Sequence, residues 1–179
     1  MPFFIGAGQA PDTKLNSGVI ALSKFWGGEL IELSCFEPPA QILNALPNKE
    51  GLAHLKGDAA LAHSNGSSWL EALGAWRQPT VLMVMPLISG DIPGLAAAYV
   101  ALCKELRVPL LGVLQVGGQW NRNQRINDGL PWCGWIPLEV ELESKAKKKD
   151  DFENCLGNHE FIFEEVKATL LRRSYTLGL

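Results

Sequence analysis

"PTVLMVMPLISGDIPGLAAAYVALCKELRVPLLGVLQVGG", residues 79–118, is the stretch on which the fold turns. Its opening, "PTVLMVMPL", is apolar throughout rather than alternating, which suits a strand buried on both faces of a parallel sheet. "PLLGVLQVG", residues 109–117, has the same character. Between them, "DIPGLAAAYVALCKELRV" offers Asp91 as a cap and Ile92 and Pro93 in a first turn. Leu95, Tyr99, Leu102 and Leu106 then recur on one helical face. Strand, crossover helix and strand make one right-handed parallel unit.

The pattern repeats outward. Strands are expected at Phe3–Gly6, Leu30–Phe36, Ala59–His63, Thr80–Pro86, Leu110–Gln115 and Cys133–Ile136. Short apolar runs alternating with helix-like segments predict an α/β protein with a doubly wound, mostly parallel sheet flanked by helices. A length of 179 residues fits one domain. Its expected parts are a core over 1–137, a charged connection over 138–151 ("LEVELESKAKKKDD") and a C-terminal helix over 152–179. In that helix Leu156, Phe163, Val166 and Leu170 form an apolar stripe suited to docking on the sheet.

A formal charge of -3 leaves no basic surplus, so nucleic acid is not expected as a partner. Cys35, Cys103, Cys133 and Cys155 are scattered with no C-x-x-C pair, which argues against a zinc knuckle and a disulfide scaffold and for reduced thiols. No secretory leader or long apolar run is evident, and a cytoplasmic protein with no membrane partner is expected. His54, Asp58 and His63 lack the spacing of a metal set, and no metal site is expected.

Three stretches carry candidate chemistry. "GAGQAPDTKLNSG" (6–18) follows an apolar start and resembles the layout of a phosphate loop, with Gly6, Gly8 and Lys14 in place. A Walker loop reads G-x-x-x-x-G-K-[ST], because glycine amides wrap the anion, lysine neutralises it and a hydroxyl reaches Mg²⁺. Here Thr13 precedes the lysine, Leu15 follows it, and Pro11 deletes an N–H donor. In "HSNGSSW" (63–69), Asn65, Gly66 and Ser67 form a donor-rich turn that opens a helix, either an anion cradle without a metal or a simple capping turn. "VGGQWNRNQRINDGLPWCGW" (116–135) places Trp120, Arg122 and Arg125 in a loop beyond a strand's carboxyl end, where open α/β sheets bind ligands. Ligand or partner binding and an ordered surface loop are both open for it.

Taken in order, these pieces resemble dethiobiotin synthetase and its relatives among the P-loop ATP-dependent ligases, including the N-terminal domains of cobyrinic acid amide synthases. Residues 79–118 carry most of the likeness. "LPWCGWIP" (130–137) is similar to the family's final strand, and "ALAHSNGSSWLEAL" (60–73) to its V-E-G-A-G-G segment; the match spans about residues 3–140. The resemblance implies a P-loop NTPase-like fold, a homodimer, MgATP as cofactor and a role in biotin biosynthesis. The implied reaction joins CO₂ to a diamine as a carbamate, which is phosphorylated and closed to a cyclic urea.

By the same resemblance Lys14 falls near the P-loop lysine, and Gln115 or Asn121 near the contact to the nucleotide base. Ser89, Gly90 and Asp91 fall where a helix start binds substrate across the homodimer, but Pro93 stands where the family commonly has Asn. Glu37-Pro38-Pro39 replaces the family's Lys-Pro-Val, and His63 or Ser64 stands where its magnesium-binding glutamate is expected. The expectation is a dethiobiotin synthetase-like protein with a degenerate nucleotide site, acting as a binding or regulatory module for a small molecule or anion. The alternative is an active, divergent ATP-dependent carboxylase and cyclo-ligase.

Overall fold

The computed structural model describes residues 1–7, 12–46, 50–64, 66–138 and 149–179, by backbone alone at 12 and 149–159. The elements in chain order are β1 (Phe3–Gly6), α1 (Asp12–Trp26), β2 (Glu29–Ser34), α2 (Pro39–Ala45), β3 (Gly51–Lys56) and α3 (Trp69–Ala75). They continue with β4 (Thr80–Val84), α4 (Gly94–Glu105), β5 (Leu110–Val116), α5 (Arg122–Asn127), β6 (Trp132–Ile136) and α6 (Lys149–Thr176). Every strand pairing is parallel, in the order β2-β3-β1-β4-β5-β6.

This order sorts the helices. From β1 the chain steps across β3 to β2, whereas every later crossover advances in the opposite direction. With crossovers of one hand, α1 must then lie on one face and α2, α3 and α4 on the other. The two cores show this. Phe3 and Ile5 of β1 pack with Leu43, Trp69, Leu73, Tyr99 and Cys103. Phe4 packs with Leu15, Val19 and Leu22 of α1 and with Phe163, Val166 and Leu170 of α6. Successive residues of β1 thus serve opposite cores, which is why the central strands read as unbroken apolar runs.

The connections diverge between β1 and β4, which makes the crevice beyond their carboxyl ends the switch point of the sheet. Because β3 lies between β2 and β1, the order differs from both the dinucleotide-binding order 3-2-1-4-5-6 and the flavodoxin-like order 2-1-3-4-5.

The last two strands are irregular. Register shifts fall between Thr80 and Val81 in the β4–β5 ladder and between Val113 and Leu114 in the β5–β6 ladder. Bulges of this kind take carbonyls out of the ladder. Arg173 of α6 collects three carbonyls here, donating to Leu111 O (2.7 Å), Pro131 O (3.1 Å) and Trp132 O (2.7 Å). Gly112 lets this happen: a Cβ there would meet the Arg173 guanidinium and come within 2.8 Å of Pro131 O. The Phe25 and Phe163 rings stack at 4.7 Å, and Lys167 Nζ donates to Phe25 O at 2.8 Å, tying α6 to the end of α1.

The structure corrects three sequence expectations. The third strand is Gly51–Lys56, and Ala59–His63 is an irregular connection. On α4 the buried residues are Ala96, Tyr99 and Cys103, while Leu95 is exposed; Pro93 rather than Asp91 precedes the helix, with no side-chain cap. The C-terminal helix starts at Lys149 rather than at 152. Of the charged connection, residues 139–148 lie outside the described residues, and so does the side chain of Leu156; Phe163, Val166 and Leu170 are buried as the stripe predicts.

Candidate functional site

By topology the switch point lies beyond the carboxyl ends of β1 and β4, flanked by the connections that follow β3 and β5. Gly6 ends β1 in the core, and Ala7 N donates to Met83 O at 2.9 Å. Gly8 lies outside the described residues. Thr13 and Lys14, in the first turn of α1, are exposed, and the Thr13 carbonyl accepts from Ser17 Oγ at 3.0 Å. Leu15 points the other way. It is 1% exposed and packs in the core shared by α1 and α6, so the residue after the lysine supports the helix instead of facing a ligand.

Behind α1 lies a polar cluster that no local motif announces. His54 of β3 is 1% exposed, and its Nδ1 donates to Asn16 Oδ1 at 3.1 Å. Lys56, at the end of the same strand, pairs with Glu32 of β2 at 2.7 Å. The hydrogen bond from Lys56 holds the Glu32 carboxyl below the usual carboxylate range, and a further hydrogen bond from Asn16 acts in the same direction. Strand pairing explains the grouping, because Glu32 is in register with His54 and Ser34 with Lys56.

Glu37 is folded onto its own turn. Its Oε2 accepts from Ser34 N at 2.8 Å, its N–H donates to Ser34 O at 3.1 Å, and its carbonyl accepts from Trp69 Nε1 at 3.0 Å. Pro39 then opens α2, as the sequence suggests.

Beyond β3, Gly57 has φ +94° and lies so close to Cys35 Sγ that no side chain fits. Asp58 accepts from Ala60 N at 2.8 Å and from the hydroxyl of Tyr99, which ties this exit to α4. The turn holding Gly66 and Ser67 closes on itself, with His63 N donating to Ser67 O and Gly66 N to His63 O, both at 2.8 Å. Asn65 lies outside the described residues. Ser68 and Glu71 complete a reciprocal capping box, and Leu70 N donates to Ala59 O at 3.0 Å. The amides of Ser68, Leu70 and Glu71 at the start of α3 therefore have internal acceptors, which is the capping alternative for this turn.

After β4, residues 87–91 form a turn in which Leu87 N donates to Asp91 O and Gly90 N to Leu87 O, both at 2.9 Å. Ser89 Oγ donates to Asp91 Oδ2 at 2.8 Å. After β5, Gln115 is wholly buried; its Nε2 donates to Gly117 O (2.9 Å) and Gln119 O (3.3 Å), holding the loop rather than facing outward. Asn121 caps α5, its Oδ1 accepting from Gln124 N at 3.2 Å.

The two arginines of this loop part company. Arg122 is exposed and, with Trp120, Trp135, Ile162 and Glu165, lines a groove of about 450 Å³ beside α6. Arg125 is 2% exposed. Its Nη1 pairs with Asp128 at 2.8 Å, its Nη2 donates to Gly90 O at 2.6 Å, and its guanidinium lies 5.4 Å from the centre of the Trp132 ring. Trp120 meets Trp132 edge-on at 5.8 Å.

Sequence reasoning missed the burial of Arg125, the His54–Asn16 and Lys56–Glu32 contacts, and the Arg173 clamp. Each depends on a partner remote in sequence or on a carbonyl, neither of which leaves a spacing signal. Among the described residues no group of three His, Cys, Asp or Glu side chains converges on a point that could hold a metal. No described helix is long and apolar enough to cross a membrane. A second recess, of about 470 Å³ beside Trp26, Glu50 and Lys167, lies at the amino ends of the strands, away from the switch point. No protein-family model matches the chain, and no curated protein matches it.

Proposed function

We propose that this chain is a dethiobiotin synthetase-like protein whose nucleotide site no longer grips MgATP and which acts as a binding or regulatory module. Support for the likeness comes from the order of β4, α4, β5 and β6, and from a sheet whose switch point lies beside the strand that leads into the glycine-rich stretch.

Lys56 carries the conclusion about metal. Because the third strand ends at Lys56 and not at His63, the V-E-G-A-G-G pattern laid on that strand moves from residues 60–73 to "LKGDAA" (55–60), and the place of the magnesium-binding glutamate passes from His63 or Ser64 to Lys56, which is paired with Glu32. A cation in that place opposes a bound Mg²⁺ instead of ligating it. Leu15, buried in the core, offers no second ligand, and Glu37 adds a negative charge where the family has a lysine. These residues do not fit MgATP.

Lys14 remains as an exposed cation at the crevice, suited to a small anionic ligand without a metal. Homodimer formation along α4 belongs to the same reading. Leu87, Ile88 and Leu95 are exposed at its start, and Ala97 and Ala98 leave its outer face flat. Calorimetric titration with MgATP tests the proposal. No heat of binding is expected, and micromolar binding abolished by Lys14→Ala would overturn it.

A further inference from the structure

The loop after β5 and the turn after β4 touch at two levels. At the base, Gly118 (φ +67°) packs against Pro86 so closely that a Cβ would meet the ring. At the tip, the Arg125 guanidinium reaches from α5 to Gly90 O at 2.6 Å. The other contacts recorded for these segments run within each of them or from the loop to β5 and β6, where Gly117 N donates to Ile136 O and Gly117 O accepts from Trp135 Nε1. The turn closes through Leu87, Ser89, Gly90 and Asp91, whereas the loop is held by Gln115 and capped by Asn121. Arg125 joins the two by a side-chain hydrogen bond.

The guanidinium is set for that task. Asp128 fixes one edge, the Trp132 ring covers a face, and burial strengthens each contact by excluding water. Its Nε–H has no partner among the described residues. On the other side of the contact, Gly90 has φ +88° with no atom within 4 Å of a would-be Cβ, so the carbonyl is presented by backbone conformation alone.

We infer that Arg125 is a latch that makes the turn 87–91 and the loop 117–128 open and close as one piece. A ligand or partner that orders either segment therefore orders the other, whatever the crevice binds. Such coupling is reciprocal, so a disturbance on either side must be felt on both.

Millisecond-resolved hydrogen exchange on the full chain tests this. Arg125→Met keeps the packed alkyl stem and removes the donor; exchange is expected to rise roughly tenfold in both 87–91 and 122–128, with β4 and β5 unchanged. Gly90→Ala adds no clash and strains only the turn, and is expected to speed exchange in 122–128 as well. Asp128→Asn, a milder change, should do the same to a smaller degree. The latch is refuted if each substitution loosens only its own segment, or if Arg125→Met raises exchange evenly across the sheet.

Discussion

Arg173 and Leu111 meet across the last helix and the fifth strand: the guanidinium donates to the Leu111 carbonyl at 2.7 Å, beside the irregularity in the ladder. The same side chain also serves Pro131 and Trp132, so one residue satisfies carbonyls of two strands. Removing it takes this donor from the partly buried Leu111 and Trp132 carbonyls, while Pro131 O keeps the Val113 N–H. Arg173→Met is expected to lower stability by roughly 2–4 kcal/mol in chemical denaturation. Arg173→Lys, a single ammonium on a flexible stem, should recover only part of this. A change within error for Arg173→Met would show that the clamp contributes little.

Leu15 is buried where a nucleotide site would want a hydroxyl. Leu15→Thr should therefore cost roughly 2–4 kcal/mol in stability, from lost apolar volume and a buried hydroxyl, without creating MgATP affinity. Thermal unfolding with and without MgATP separates the two effects. A nucleotide-dependent rise in Tm for the variant would mean that the crevice needs only this one oxygen.

Glu32 titrates below the ordinary carboxylate range because Lys56 donates to it. A depressed folded-state value stabilises the fold above the unfolded value, near 4.3, and that contribution is lost as pH falls through the lower folded value. Lys56→Met should move the Glu32 midpoint upward in carbon-detected NMR titration. An unmoved midpoint would assign the depression elsewhere.

Burial pushes the thiol of Cys103 up to about 11 and that of Cys133 up to about 12, the latter against an opposing pull from Arg173. Folding favours the neutral thiol, so this contribution is intact below the unfolded value, near 8.5, and is lost as pH rises toward the folded values. At pH 8 both should resist a thiol reagent in the folded protein and react on unfolding. Peptide mapping after alkylation reads this residue by residue, and rapid native labelling of either would contradict their burial.

With MgATP, a diamine and bicarbonate supplied together, no ADP release above background is expected. Steady turnover that Lys14→Ala abolishes would favour the divergent ligase.

How much of this was legible depended on where each residue's partners lie. β4 and β5 could be read directly because both their faces are covered by apolar neighbours, and β1 because Phe3, Phe4 and Ile5 serve two cores at once. β3 was misplaced because His54 and Lys56 interrupt its apolar run, and only the distant Asn16 and Glu32 make them acceptable there. On α4 the eye follows leucines, but the helix packs closely enough to prefer Ala96 and Cys103 against the sheet and to leave Leu95 outside. The capping box at Ser68 and Glu71 is a local signal and was within reach as one of two alternatives. Arg125 was picked out as a loop cation, whereas its burial depends on Trp132 and Gly90, which local spacing does not connect.

The position of α6 also bears on how the chain is made. Phe4, Leu15 and Leu22 lie in a core completed by Phe163, Val166 and Leu170. A ribosome delivers those three residues after all six strands, so the first helix and its strand wait with an oily flank bare while the rest of the sheet assembles. A nascent chain stalled before them would present that flank to chaperones or to other unfinished chains, and α6 acts as the seal that ends this exposure.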